Sequence, residues 1–132
     1  MRSFVHQIPV AAIGATVAFA LPVAAVALPS TAMGQVSVAQ VMEMIARVDS
    51  SPIAKQTLVA YVAGVGEAAG VIVDTIGGSH MVSCKTALRL DTGSVRAALE
   101  TGAPSRSNWS ETPATPLIVA DMVKRAGCRI KD

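Results

Sequence analysis

The fold is decided by residues 52–74, Pro52-Ile-Ala-Lys-Gln-Thr-Leu58-Val-Ala-Tyr61-Val62-Ala-Gly64-Val65-Gly66-Glu67-Ala-Ala69-Gly70-Val-Ile72-Val-Asp74. Within it Ala54, Leu58, Tyr61, Val62, Val65, Ala69 and Ile72 recur three or four apart and predict one apolar helical face. Ser51 is placed to accept from the first-turn amides. Pro52 takes the first helical position, where its missing N–H would be unpaired anyway. Gly77-Gly78 ends the helix. A face of this kind needs other helices to cover it, so the chain is predicted to be all-α.

Working outward, Ser37 followed three residues later by Gln40 fits a capping box, and Val38, Val41, Met42 and Ile45 give a first helix over residues 38–48. Asp49-Ser50-Ser51 turns the chain into the long helix. After it, Leu88 and Leu90 are apolar anchors in an irregular piece. Asp91-Thr92-Gly93-Ser94 is turn chemistry that places Ser94 as the cap of a short third helix, with Val95, Ala98 and Leu99 facing inward and Gly102 as its stop before Pro104. Residues 103–113 are polar and proline-flanked and predict a surface loop, which holds the only tryptophan, Trp109. Thr115-Pro116 repeats the cap-then-proline start of the long helix. Leu117, Ile118, Met122 and Val123 supply a fourth helical face, Lys124 and Arg125 suit its C-terminus, and Gly127 ends it. Residues 129–132 are expected to fray. The fold class is thus a small bundle of about four helices.

At 132 residues the chain is one domain. Aromatics are 3% of it, so the core must be built from Ala, Val, Leu, Ile and Met, which favours closely packed helices. Residues 8–28 carry no charge, and Ser30-Thr31-Ala32 puts small residues at the positions a signal peptidase inspects. Residues 1–32 are therefore expected to be a cleaved signal peptide and residues 33–132 an exported domain. The alternative is retention as an N-terminal anchor. After cleavage no membrane association is expected. The formal charge of +2 includes Arg2 in that segment, and the cations are scattered. Nucleic acid is not an expected partner.

The glycines of the long helix ask for an explanation, since each costs ~1 kcal/mol against alanine in a helix interior. Residues 64–69 match a dinucleotide-binding fingerprint literally, but too little chain flanks them for a parallel sheet with crossovers. The preferred reading is that the glycines let a neighbouring helix approach the backbone closely. Glu67 and Asp74 read as a solvated face. Two cysteines in an exported chain predict one disulfide, Cys84 to Cys128, closing about 45 residues and stabilising by ~4 kcal/mol. A reactive thiol, or a metal pair with His80, is the alternative. A single histidine outside the leader supplies neither a catalytic Cys-His arrangement nor a four-ligand zinc site. No hydrolase elbow or metalloprotease signature appears. The residues favour a binding protein over an enzyme, with no catalytic, metal or cofactor site assigned and no cofactor expected.

The order of these signals, with Tyr61-Val62-Ala63-Gly64-Val65-Gly66-Glu67-Ala68 in the long helix and a proline-started last helix running from Pro116 through residues 117–123 to Cys128, resembles the Tai-like family of type VI secretion immunity proteins. The similarity covers residues 38–128. It implies a small all-α periplasmic protein, often a homodimer, that occludes the substrate groove of a peptidoglycan amidase effector. Relatives carry further cysteines near the first two helices and this chain has none there, so only the Cys84 to Cys128 bond carries over. Trp109 and its polar loop are the first candidate for the partner contact, because tryptophan is enriched at hot spots. The competing role for Trp109 is to fold over the helices and close a small-residue core. A second family, the HdeA-type acid-stress chaperones, is also exported, helical and held by one disulfide, and is the alternative functional expectation.

Overall fold

The computed structural model describes residues 30–77 and 82–130; most of the expected signal peptide, and His80, lie outside them. Four helices, α1 (Val38–Arg47), α2 (Pro52–Gly77), α3 (Thr92–Gly102) and α4 (Ala114–Ala126), account for most of that chain. A short antiparallel ribbon joins β1 (Val82–Ser83) to β2 (Arg129–Ile130), pairing Val82 with Ile130 and Ser83 with Arg129. Cys84 and Cys128, at the inner ends of the two strands, are bonded to each other, S–S 2.06 Å. The chain is all-α with one disulfide, as its sequence predicts.

The helix starts follow from short polar residues. The Gln40 N–H donates to the Ser37 hydroxyl at 3.2 Å and the Ser37 N–H donates to the Gln40 side-chain carbonyl at 2.9 Å, which completes the capping box of α1. Ahead of α2, the Ala54 N–H donates to Ser51 Oγ at 3.2 Å. Two starts differ from expectation. The cap of α3 is Asp91, whose carboxylate accepts from the Ser94 N–H at 2.8 Å, while Ser94 sits three residues inside and its hydroxyl oxygen accepts from the Asp91 N–H. A carboxylate at the positive end of a helix is the stronger acceptor, so the cap moves upstream of Ser94. At α4 the helix begins at Ala114, because the Ala114 N–H is taken by the Val36 carbonyl at 2.9 Å, and the Thr115 hydroxyl is used elsewhere.

At the other end, α4 stops at Gly127, which is left-handed at φ +65°, a conformation that favours glycine. Residues 129 and 130, expected to fray, are instead tied down by the ribbon, and the Lys85 and Thr86 N–H groups both donate to the Ala126 carbonyl. Residues 131–132 lie outside the described chain. Near the expected cleavage point Thr31 is buried, and its hydroxyl accepts from the Gln35 N–H at 3.1 Å.

The core is aliphatic and small-grained. Val38, Val41 and Ile45 of α1 meet Leu58 and Val65 of α2, Val95 and Leu99 of α3, and Ala114 and Ile118 of α4. Fully burying a side chain such as Leu58 or Ile118 stabilises by roughly 1.5–3 kcal/mol. A side-chain hydrogen bond links α2 to α4. The Tyr61 hydroxyl of α2 lies 2.9 Å from the Thr115 hydroxyl of α4.

Candidate functional site

Helix α2 is where the sequence and the fold part company. Leu58, Val65 and Ala69 are buried and Ala54, Tyr61 and Val62 half-buried, as the expected face requires, but Ile72 is 57% exposed. Ile53 (77%), Val59 (61%) and Val71 (64%) are open to solvent as well. Ile53 and Val71 are eighteen residues apart, five helical turns, and so lie on one line along the helix. Exposed Ala60 and Gly64 fall close to that line, Val59 and Ala63 flank it on one side, Ala68 and Ile72 on the other, and Glu67 interrupts it. Thr57 and Glu67 break this exposed apolar surface into two stretches.

Gly64 lies on this surface, and half-buried Gly66 and Gly70 lie to one side of it. A Cβ built at Gly64 or Gly70 would meet nothing within 4 Å, and one at Gly66 would touch only Leu90 at an ordinary 3.8 Å. No helix among the described residues approaches them, contrary to the expectation that they make room for an intramolecular neighbour. The bundle is too small to wrap a 26-residue helix. By length and composition residues Pro52–Thr75 could also cross a membrane, with only 17% of their most apolar window buried. Exposed Glu67 near the middle of that segment opposes this, because an ionisable side chain at the bilayer centre facing lipid is costly.

Trp109 folds against the bundle. Its indole N–H donates to the Ala103 carbonyl at 2.7 Å, its backbone carbonyl accepts from the Ala39 N–H, and it packs half-buried against the core. The ring, with the Arg106 guanidinium 5.3 Å from its centre, also lines an open cleft of about 410 Å³ between α1 and α3, bordered by Met42, Glu43, Arg96 and Glu100. The loop holding it is thus fastened at both ends. Cys84 and Cys128 are consumed by the disulfide and hold no free thiol. Among the described residues no three His, Cys, Asp or Glu side chains come together as a metal site.

Among the described residues two ionisable groups are shifted, Tyr61 and Asp91. Burial raises the Tyr61 phenol above its ordinary value, partly offset by the Thr115 hydroxyl. The amides and hydroxyl at the start of α3 hold the Asp91 carboxyl below the usual carboxylate range, with a smaller contribution from Arg125. Both groups serve the fold. Sequence periodicity alone missed the exposed strip because Ile53, Val59 and Val71 fall outside the face chosen as the core, although their apolar character on its far side was the available signal. No family model matches the chain, and no curated protein or solved structure matches it.

Proposed function

We propose that this protein is a periplasmic binding module that neutralises a type VI secretion peptidoglycan amidase by occluding its substrate groove. The observation that carries the reading is the solvent-exposed apolar strip of α2 along Ile53, Ala60, Gly64 and Val71. It runs past the Tyr61 to Ala68 segment on which the resemblance to Tai-like immunity proteins rests, of which Ala63, Gly64, Glu67 and Ala68 are exposed. A rigid 26-residue helix, about 39 Å long, is a suitable object to lay along an enzyme groove. Small residues at its centre let a partner's backbone come close, and the pinned Trp109 loop offers a second, separate contact.

The acid-chaperone alternative requires apolar surface that is concealed at neutral pH and released by acid. Here the apolar surface is already open in the folded chain, which favours a constitutive binder. The test is capture from periplasm by the oxidised mature protein offered the secreted proteins of its own strain. Recovery of one peptidoglycan amidase, inhibited at equimolar ratio, is the expected result. Recovery of many unrelated proteins only after a shift to acid, or sedimentation of the protein with membranes, overturns it.

A further inference from the structure

The disulfide end of the molecule carries a feature that the α2 strip does not explain. A cleft of about 310 Å³ opens between the segment 84–90 and the second half of α4, lined by Thr86, Ala87, Arg89 and Arg125 over a floor of buried Met122 and Ala126. The guanidinium of Arg125 is held in place, with Nε donating to Asp121 Oδ2 at 2.7 Å and Nη2 to the Arg89 carbonyl at 3.1 Å. Exposed Arg89 has no ion pair among the described residues, and neither have exposed Lys85, Lys124 and Arg129, which adjoin the cleft in sequence. Of the described acids beside Arg125, Asp121 is engaged by it and Asp91 is engaged at the start of α3.

We propose that this cleft docks a carboxylate-rich segment of a protein partner, with Arg89 and Arg125 as the paired donors. Planar guanidinium forks match carboxylates bidentately; Arg125, with Nε taken by Asp121, keeps its Nη1–Nη2 edge for a ligand, already oriented by its bonds to Asp121 and the Arg89 carbonyl. The floor of Met122 and Ala126 suits the methylenes that precede a Glu or Asp carboxylate. An anionic lipid surface shares the carboxylate's charge but not its planar geometry, and the vesicle arm of the test separates the two. The site is built from elements other than the exposed strip of α2, so it stands whichever enzyme the helix meets.

The experiment titrates the oxidised protein with fluorescein-labelled decaglutamate, and with decaglutamine of equal length, at low and at near-physiological salt. Binding of decaglutamate alone, weakening with salt, is expected. Arg89→Gln should weaken it about tenfold, the usual effect of losing one charge-assisted bond. Circular dichroism checks that this variant is folded. Should it fail that check, Lys85→Gln with Lys124→Gln, two rim changes away from the core, must still weaken binding several-fold. Equal binding of both peptides, no binding of decaglutamate at low salt, unchanged affinity in a folded Arg89→Gln, or binding to phosphatidylglycerol vesicles in place of the peptide overturns the proposal.

Discussion

The Tyr61 hydroxyl meets the Thr115 hydroxyl at 2.9 Å across 54 residues of sequence, and among the described residues it is the one side-chain hydrogen bond that joins α2 to α4. Both residues are half-buried, so the bond is shielded from water without being sealed. Tyr61→Phe should therefore destabilise by about 1 kcal/mol, Thr115→Val by a similar amount, and the double variant by less than the sum. Urea unfolding of the four proteins measures this. The raised phenol adds a pH signature. Because the folded chain keeps the proton after the unfolded chain has released it, stability falls as pH rises above about 10, and Tyr61→Phe removes that fall.

The glycines of α2 separate two accounts of why they are there. With open space at Gly64 and Gly70, Gly64→Ala and Gly70→Ala should each stabilise the isolated protein, by up to ~1 kcal/mol. Gly127→Ala should do the reverse by about 1 kcal/mol, since the position is left-handed and the Lys85 side chain lies 3.1 Å from where the added methyl carbon would sit. Thermal melts of the three variants give the signs directly. A destabilised Gly64→Ala would mean that a neighbour does press on the helix.

The start of α3 should make the protein acid-sensitive in a defined window. Asp91 has a folded pKa below its unfolded one, so its contribution is present above the ordinary carboxylate value of about 4 and is lost as pH falls through the lower folded value. Urea midpoints recorded from pH 7 down to pH 3 should drop below about pH 4 in the native protein. Asp91→Asn, which keeps a capping oxygen but no titrating group, should flatten that drop.

Reduction should show how much the ribbon depends on the disulfide. The bridge joins residues 44 apart, and losing it as Cys84→Ala with Cys128→Ala should cost ~4 kcal/mol in the chain-entropy account. Beyond the bridge, the two-residue strands are held by their own pairing and by the Lys85 and Thr86 N–H bonds to the Ala126 carbonyl. The variant is expected to melt at lower temperature and to exchange the Lys85 and Thr86 amides early.

Most of the architecture was legible in residues with a local job. Ser37 with Gln40, Ser51 with Pro52, and Gly127 act within one helical turn, and their helices start or stop as read. What escaped depends on distant partners. Arg129 and Ile130 are ordered by pairing with Val82 and Ser83, far back in the chain, a pairing no local pattern announces. Thr115 reads as a cap until the Tyr61 hydroxyl claims it. Ile72 fits the apolar period of α2, yet the other helices are too short to reach it, so periodicity finds a face without saying how much of it is covered. The cleft at Arg89 and Arg125 was hidden for the same reason, since scattered cations become a cluster only after the disulfide closes the chain.

The most direct measurement of the central claim is inhibition of the captured amidase by the native protein and by Val71→Glu. Val71 is 64% exposed, so the change should leave the melting temperature within a few degrees. The account predicts complete inhibition at a one-to-one ratio by the native protein, and a loss of at least tenfold in potency for a folded Val71→Glu. Equal potency of the two proteins would contradict it, because the exposed strip of α2 would then have no part in binding.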